Sequence, residues 1–131
     1  MSPKKTKPSK LPPRVVPSDS LVIEVDGVEY RPHAGETVSV RGGVTVGDYL
    51  FAVKLRDFSA DSDPVERTRF WKDTIANLCG RIVAWTWTDD AGNPYPSPPT
   101  AEVLEALLFA ELSWLLDAAG TATNAAIPKN S

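Results

Sequence analysis

At 131 residues the chain has room for one domain and one core, and an apolar content of 42% suits a globular fold. One cysteine, Cys79, excludes an internal disulfide, and one histidine, His33, leaves too few soft ligands for a zinc centre. Five cations against Asp19 put the first twenty residues at +4, so the whole-chain charge of −3 leaves the rest at −7; nucleic-acid-binding folds have the reverse polarity, with the basic patch on the folded body.

Residues 1–18 are rich in lysine and proline, with Pro3, Pro8, Pro12, Pro13 and Pro17, and bury too little apolar surface to offset the entropy of ordering them. This segment is expected to be a disordered tail, with no apolar stretch behind it of the kind a secretory signal needs. Leu21 to Tyr30 reads LVIEVDGVEY, and Asp26-Gly27 between β-branched runs predicts a hairpin. Glu36 to Arg41, after a turn over Pro32 to Gly35, supplies a further strand.

A first helix begins at Thr45, which with Asp48 has the spacing of a capping box. Val46, Tyr49, Leu50 and Val53 form one apolar stripe, and Phe51, Leu55 and Phe58 form another on the far side. Such a helix is either sandwiched in the core or presents one stripe to a partner. A second helix has Asp63 as N-cap, Pro64 in its first turn and Glu66 completing the box. Trp71, Ile75, Leu78, Cys79 and Ile82 share its apolar face, where Cys79 is an inert thiol, and Gly80 marks a stop or bend.

Ile82 to Thr88 is β-branched and aromatic and reads as extended, with Val83, Trp85 and Trp87 on one face. Asp89 to Pro94 is a turn in which Asp89, Asp90 and Gly92 supply the turn chemistry, and prolines 94, 96, 98 and 99 keep the following loop extended. A third helix runs from Ser97 or Thr100 to about Ala119, before Gly120, and residues 121–131 are a flexible tail. Its core face carries Val103, Leu104, Leu107, Leu108, Trp114, Leu115 and Ala118; Glu111 interrupts that face, either as a functional acid or as a partner for an arginine such as Arg81. Glu105, Glu111, Ser113 and Asp117 rule this stretch out as a membrane span. The expected fold is therefore α+β: one domain over 19–120, with an N-terminal antiparallel hairpin or sheet followed by a three-helix bundle.

No pattern for catalysis, a metal or a cofactor stands out. His33 has no nucleophile beside it, Asp89 and Asp90 lack the acid that would close a calcium loop, and Gly42-Gly43 precedes no phosphate-binding lysine. Trp85 and Trp87 could stack on bases, but Asp89 and Asp90 beside them would repel phosphate, so nucleic-acid binding is not expected. Phe109, Leu112 and Leu116 make a second stripe on the third helix, outside its core face. That stripe, continued by Phe51, Leu55 and Phe58, is the expected partner-binding surface.

The run W-x-W-T-D-D-x-G-x-P, formed by Trp85, Trp87, Thr88, Asp89, Asp90, Gly92 and Pro94, stands between a helix ending in an aliphatic pair and a proline-rich loop leading to an amphipathic helix. This arrangement, over Asp63 to Ala119, resembles the tail assembly chaperones of long-tailed, siphovirus-type bacteriophages; the Lys/Pro-rich N-terminus departs from their pattern. The resemblance implies a non-enzymatic protein of the host cell cytoplasm. Such a protein coats the apolar helical tape measure protein and keeps it soluble and extended for tail tube polymerisation. It also implies a frameshifted longer form that recruits the tail tube protein, and self-association is compatible with it. The competing readings are a structural virion component, such as a tail completion or connector protein, and a nucleic-acid-binding regulator acting through the basic tail, whose binding would be strongly salt-dependent.

Overall fold

The structure, a computed structural model, describes residues 11–58 and 63–126. The elements are β1 (Arg14–Pro17), β2 (Ile23–Val25), β3 (Val28–Tyr30), β4 (Thr37–Val40), α1 (Val46–Asp57), α2 (Pro64–Arg81), β5 (Ile82–Trp85), α3 (Ala101–Glu105) and α4 (Phe109–Ala126). The class is α+β, with an antiparallel sheet ordered β1-β4-β5 and a separate β2-β3 hairpin. Strands β1 to β4 come early in the chain and the helices follow, but there are more helices than the three expected. Four helices are present among the described residues; α2 packs on α3 and α4, and α1 meets α2 through the Phe51 and Phe58 rings over Phe70, the Lys54–Asp73 ion pair and the Asn77–Asp48 hydrogen bond.

Local chemistry explains most boundaries. Asp26 and Gly27 turn the hairpin with φ of 52° and 81°, the doubly positive geometry that matches strand twist. Thr45 and Asp48 close the capping box in both directions, the Thr45 hydroxyl accepting from Asp48 N at 2.9 Å and Asp48 Oδ2 accepting from Thr45 N at 3.1 Å. Asp63 Oδ1 accepts from Glu66 N at 2.9 Å to start α2. This helix passes through Gly80 and ends at Arg81, where the chain turns directly into β5.

Three elements depart from expectation. Arg14–Pro17 form a strand inside the segment expected to be a disordered tail; residues 1–10 lie outside the described residues. The third helix is split in two. Glu111 Oε1 accepts from Leu108 N at 2.9 Å, which caps a new helix and separates α4 from α3, and α4 continues through Gly120 to Ala126. Finally, Ile82 pairs with Val40 and Ala84 with Ser39, so Val83 is the extra residue of a β-bulge. The bulge turns Val83 outward while Ile82, Trp85 and Trp87 all face the core, so Val83 does not share the tryptophans' face.

One edge of the three-stranded sheet is blunted and the other is covered. Ser18 N donates to Glu36 O and Thr86 N to Thr37 O, each at 2.9 Å, so alternate β4 residues face β1 and β5. On β1, therefore, Arg14 and Val16 turn their backbone to β4, and Val15 and Pro17 turn theirs outward. Pro17 has no N–H to offer there, which blunts the edge. At the other edge the proline-rich loop supplies partners: Trp85 N donates to Ser97 Oγ at 3.0 Å and Tyr95 N to Trp87 O at 3.1 Å. Trp87 lies fully buried in the core beneath this sheet, among Val38, Val40, Leu78, Leu104 and Leu115.

Candidate functional site

The expected partner stripe does not assemble as one surface. Phe109 is 75% exposed, but Leu112, at 7%, belongs to the core, and Leu116 is half-buried against it. The physical reason is the break at Leu108: α4 starts afresh at Phe109, and its first full turn carries Leu112 inward. On α1 the stripes are exchanged. Phe58 and Phe51 lie half-buried over Phe70, with ring centroids 3.8 and 6.4 Å away, and only Leu55 of that stripe is exposed. The opposite stripe of Val46, Tyr49 and Leu50 faces solvent, with Val46 77% and Leu50 61% exposed.

The motif residues prove to be scaffold. Trp85 and Trp87 are buried, stacked on each other at 4.9 Å, and their indole N–H groups donate to Pro96 O at 2.7 Å and Ser18 Oγ at 2.8 Å. Neither ring is available to a base. Asp89 Oδ1 accepts from Ala91 N and Asn93 N, Gly92 has φ 85°, and Thr88 bridges Pro94, so Asp89 to Pro94 close a turn while Asp90 stays exposed.

What the chain does offer is a groove of about 490 Å³ between α2 and the α3–α4 corner. Trp71, Ile75 and Phe109 are its apolar lining, and Arg67, Lys72 and Glu105 stand around it. The Trp71 and Phe109 rings meet edge to face at 6.0 Å, and Lys72 Nζ reaches Glu105 Oε2 at 3.2 Å. A smaller cavity of about 170 Å³ continues it toward Leu104 and Leu107. The groove follows α2 from Pro64 to Ile75, about 16 Å at the helical rise, a length that matches three turns of a docked helix.

Two polar networks, one partly buried and one buried, tie the elements together. Arg41 pairs with Asp48 and donates to Gly80 O at 2.7 Å; Asn77 also donates to Asp48, and Arg81 donates to Ala119 O at 2.6 Å. Burial alone would raise the Asp48 pKa, but the Arg41 guanidinium and the Thr45 N–H hold it below the usual value. Arg81 thus serves α4's backbone, while Glu111 meets His33 instead of an arginine. His33 is 2% exposed and has a carboxylate at each ring nitrogen, Glu36 at 2.7 Å and Glu111 at 2.6 Å. With both nitrogens taken it presents nothing to a substrate or a metal. Among the described residues no three ligands are placed to hold a metal ion. Cys79 is half-buried and burial raises its thiol pKa, as suits an inert side chain.

The His33–Glu111 pair could not be read from local patterns, since its members stand 78 residues apart. Glu111 in an apolar arc was the one visible signal. Among the described residues no helix is long and apolar enough to cross a membrane. No family model, curated protein or solved structure matches the chain.

Proposed function

We propose that this chain is a tail assembly chaperone of a long-tailed bacteriophage, which binds apolar helical segments of a tape measure protein and keeps them soluble and extended in the host cytoplasm until the tail tube polymerises. The observation that carries the reading is the exposed Phe109 beside Trp71 in a groove long enough for three turns of helix. A tape measure offers amphipathic helix faces, and a chaperone needs a replaceable apolar cover for them. The free α1 stripe of Val46, Tyr49 and Leu50 extends the apolar area available to such a client. In the three-stranded sheet, the blunted β1 edge and the covered β5 edge favour a helical over a strand-like client there, because β-augmentation needs a row of free edge donors. The role needs no catalytic residue and no cofactor. A frameshifted longer form recruiting the tail tube protein belongs to the same proposal.

Co-expression with a tape measure protein tests it. The wild-type chain should hold the client in the soluble fraction. Phe109→Asp changes a side chain already in water, so it should fold normally and lose that effect. A folded Phe109→Asp chain that solubilises the client as well as wild type sinks the groove reading. Finding the wild-type protein in purified virions at stoichiometric amounts would favour a structural virion component instead.

A further inference from the structure

His33 lies in the loop between β3 and β4, with Nδ1 2.7 Å from Glu36 Oε1 and Nε2 2.6 Å from Glu111 Oε2. A neutral imidazole has one N–H and one lone pair. In either tautomer, one nitrogen's lone pair would therefore face a carboxylate oxygen at hydrogen-bond distance with no proton between them. The arrangement calls for one extra proton. Both carboxylates are already engaged as acceptors elsewhere: Glu36 Oε2 accepts from the Thr88 hydroxyl at 2.7 Å, and Glu111 Oε1 accepts from Leu108 N at 2.9 Å. Hydrogen bonds donated to a carboxylate favour its ionised form, so the proton belongs on the ring, as an imidazolium donating from both nitrogens. Trp87 completes the site. Its indole lies flat on the His33 ring, with centroids 3.7 Å apart and planes within 7°, where a cation is attracted to the π face.

We propose that His33 is a proton-operated latch: as an imidazolium it ties the β3–β4 loop to the first turn of α4 and fixes the Leu108–Phe109 corner of the groove, and loss of the proton frees that corner. The charged surroundings favour the cation. Glu36 faces it from the start of β4 and Glu111 from α4, while Thr88, beyond β5, faces Glu36. Tyr95, in the proline-rich loop, has its phenol pKa raised first by burial and then by Glu111, Asp89 and Asp90. Within the loop itself, Asp19 accepts from Gly35 N, and Arg31 is engaged with Glu29 and the Asp19 carbonyl. Burial opposes the charge on His33, but the hydrogen bonds and charges of Glu111 and Glu36 outweigh it and raise the pKa above 6.5. A group whose pKa rises on folding contributes its stability below the unfolded value and loses it as pH climbs through the folded value. The latch is thus closed in mild acid and opens toward alkaline pH. Its bearing on helix binding rests on the groove reading; the latch itself does not.

The chain contains a single histidine, so the ring's nuclear magnetic resonance signals in the full-length protein report this site alone. At about pH 6 both ring nitrogens should be protonated, and the ring should titrate with a midpoint above the ordinary value. A neutral tautomer at that pH, or a midpoint at or below the ordinary value, overturns the proposal. Glu111→Gln removes one charge at constant size and should move the midpoint down; should that variant not fold, the wild-type titration still decides. The Leu108 and Phe109 amide resonances should shift with the same midpoint as the ring. If they stay still, the latch does not reach the corner and the proposal fails, whereas the groove reading is judged separately by Phe109→Asp at constant pH.

Discussion

The Trp87 indole N–H donates to Ser18 Oγ at 2.8 Å, across 69 positions of the chain, and both residues are completely buried. One side chain thus closes the core and satisfies a hydroxyl that water cannot reach. Trp87→Phe should lose about 1–3 kcal/mol, largely from leaving that hydroxyl unpaired. Trp87→Ala should lose about 3–5 kcal/mol, as large core truncations do. Trp71, expected with Trp85 to anchor the core, is half-buried and lines the groove, so Trp71→Ala should be milder than either Trp85→Ala or Trp87→Ala. Urea denaturation of the variants measures the order, and a Trp71→Ala loss matching that of Trp87→Ala would place Trp71 in the core.

Features set by neighbours in sequence were legible. The Asp26-Gly27 hairpin, the Thr45–Asp48 box and the Asp63 cap each depend on residues at most three apart and each formed, although at Asp63 the cap forms without the return bond from Glu66 that was expected to complete a box. Features set by distant contacts were not. Arg14–Pro17 has the composition of a solvated tail and becomes a strand only because β4 is there to pair with it. The α3–α4 break depends on Glu111 capping Leu108 while His33 holds its other oxygen, and no helical periodicity contains that information. The split then decided the site. Leu112 and Leu116 turned toward the core, and of the three-residue stripe Phe109 alone remained exposed.

Stability should plateau between about pH 4.5 and 6.5, the ordinary values of Glu111 and His33. Burial would raise the Glu111 pKa, but its hydrogen bonds from His33 and Leu108 N lower it, so its contribution is present above 4.5 and lost as pH falls through the depressed value. His33 has the opposite sign: its contribution is complete below 6.5 and is lost as pH rises through its elevated value. Thermal melting across this range should show a maximum bounded on both sides. A melting temperature that keeps rising above pH 8 would contradict the His33 arm.

Asp48→Asn should destabilise the fold by about 3 kcal/mol, the lower end of the range for breaking a buried ion pair, because Arg41 is partly in water. The substitution also weakens the acceptor that closes the α1 capping box. Since the Asp48 pKa lies below its ordinary 3.8, the wild-type advantage should persist above that pH and shrink as pH falls through the folded value. Denaturation of both proteins near neutrality and in acid provides the comparison. An equal difference at both would mean that the carboxylate charge is not what stabilises the wild type.

Pro17→Thr should convert a blunted sheet edge into a sticky one. Val15 and Pro17 both face away from β4, and Val15 alone brings an outward N–H. A threonine at 17 adds a second donor two residues on, the spacing an incoming strand needs. The new N–H points to water in the monomer, so folding should lose no more than about 1 kcal/mol, the conformational advantage a well-placed proline confers. Self-association, by contrast, should rise with concentration, read by light scattering at matched protein amounts. A Pro17→Thr chain that is stably folded and scatters like wild type at every concentration would show that something other than the proline protects the edge. The groove between β1 and Trp114, lined by Val15, Pro17 and Asp117, is the place to look next, because an incoming strand would have to pass the Asp117 carboxylate there.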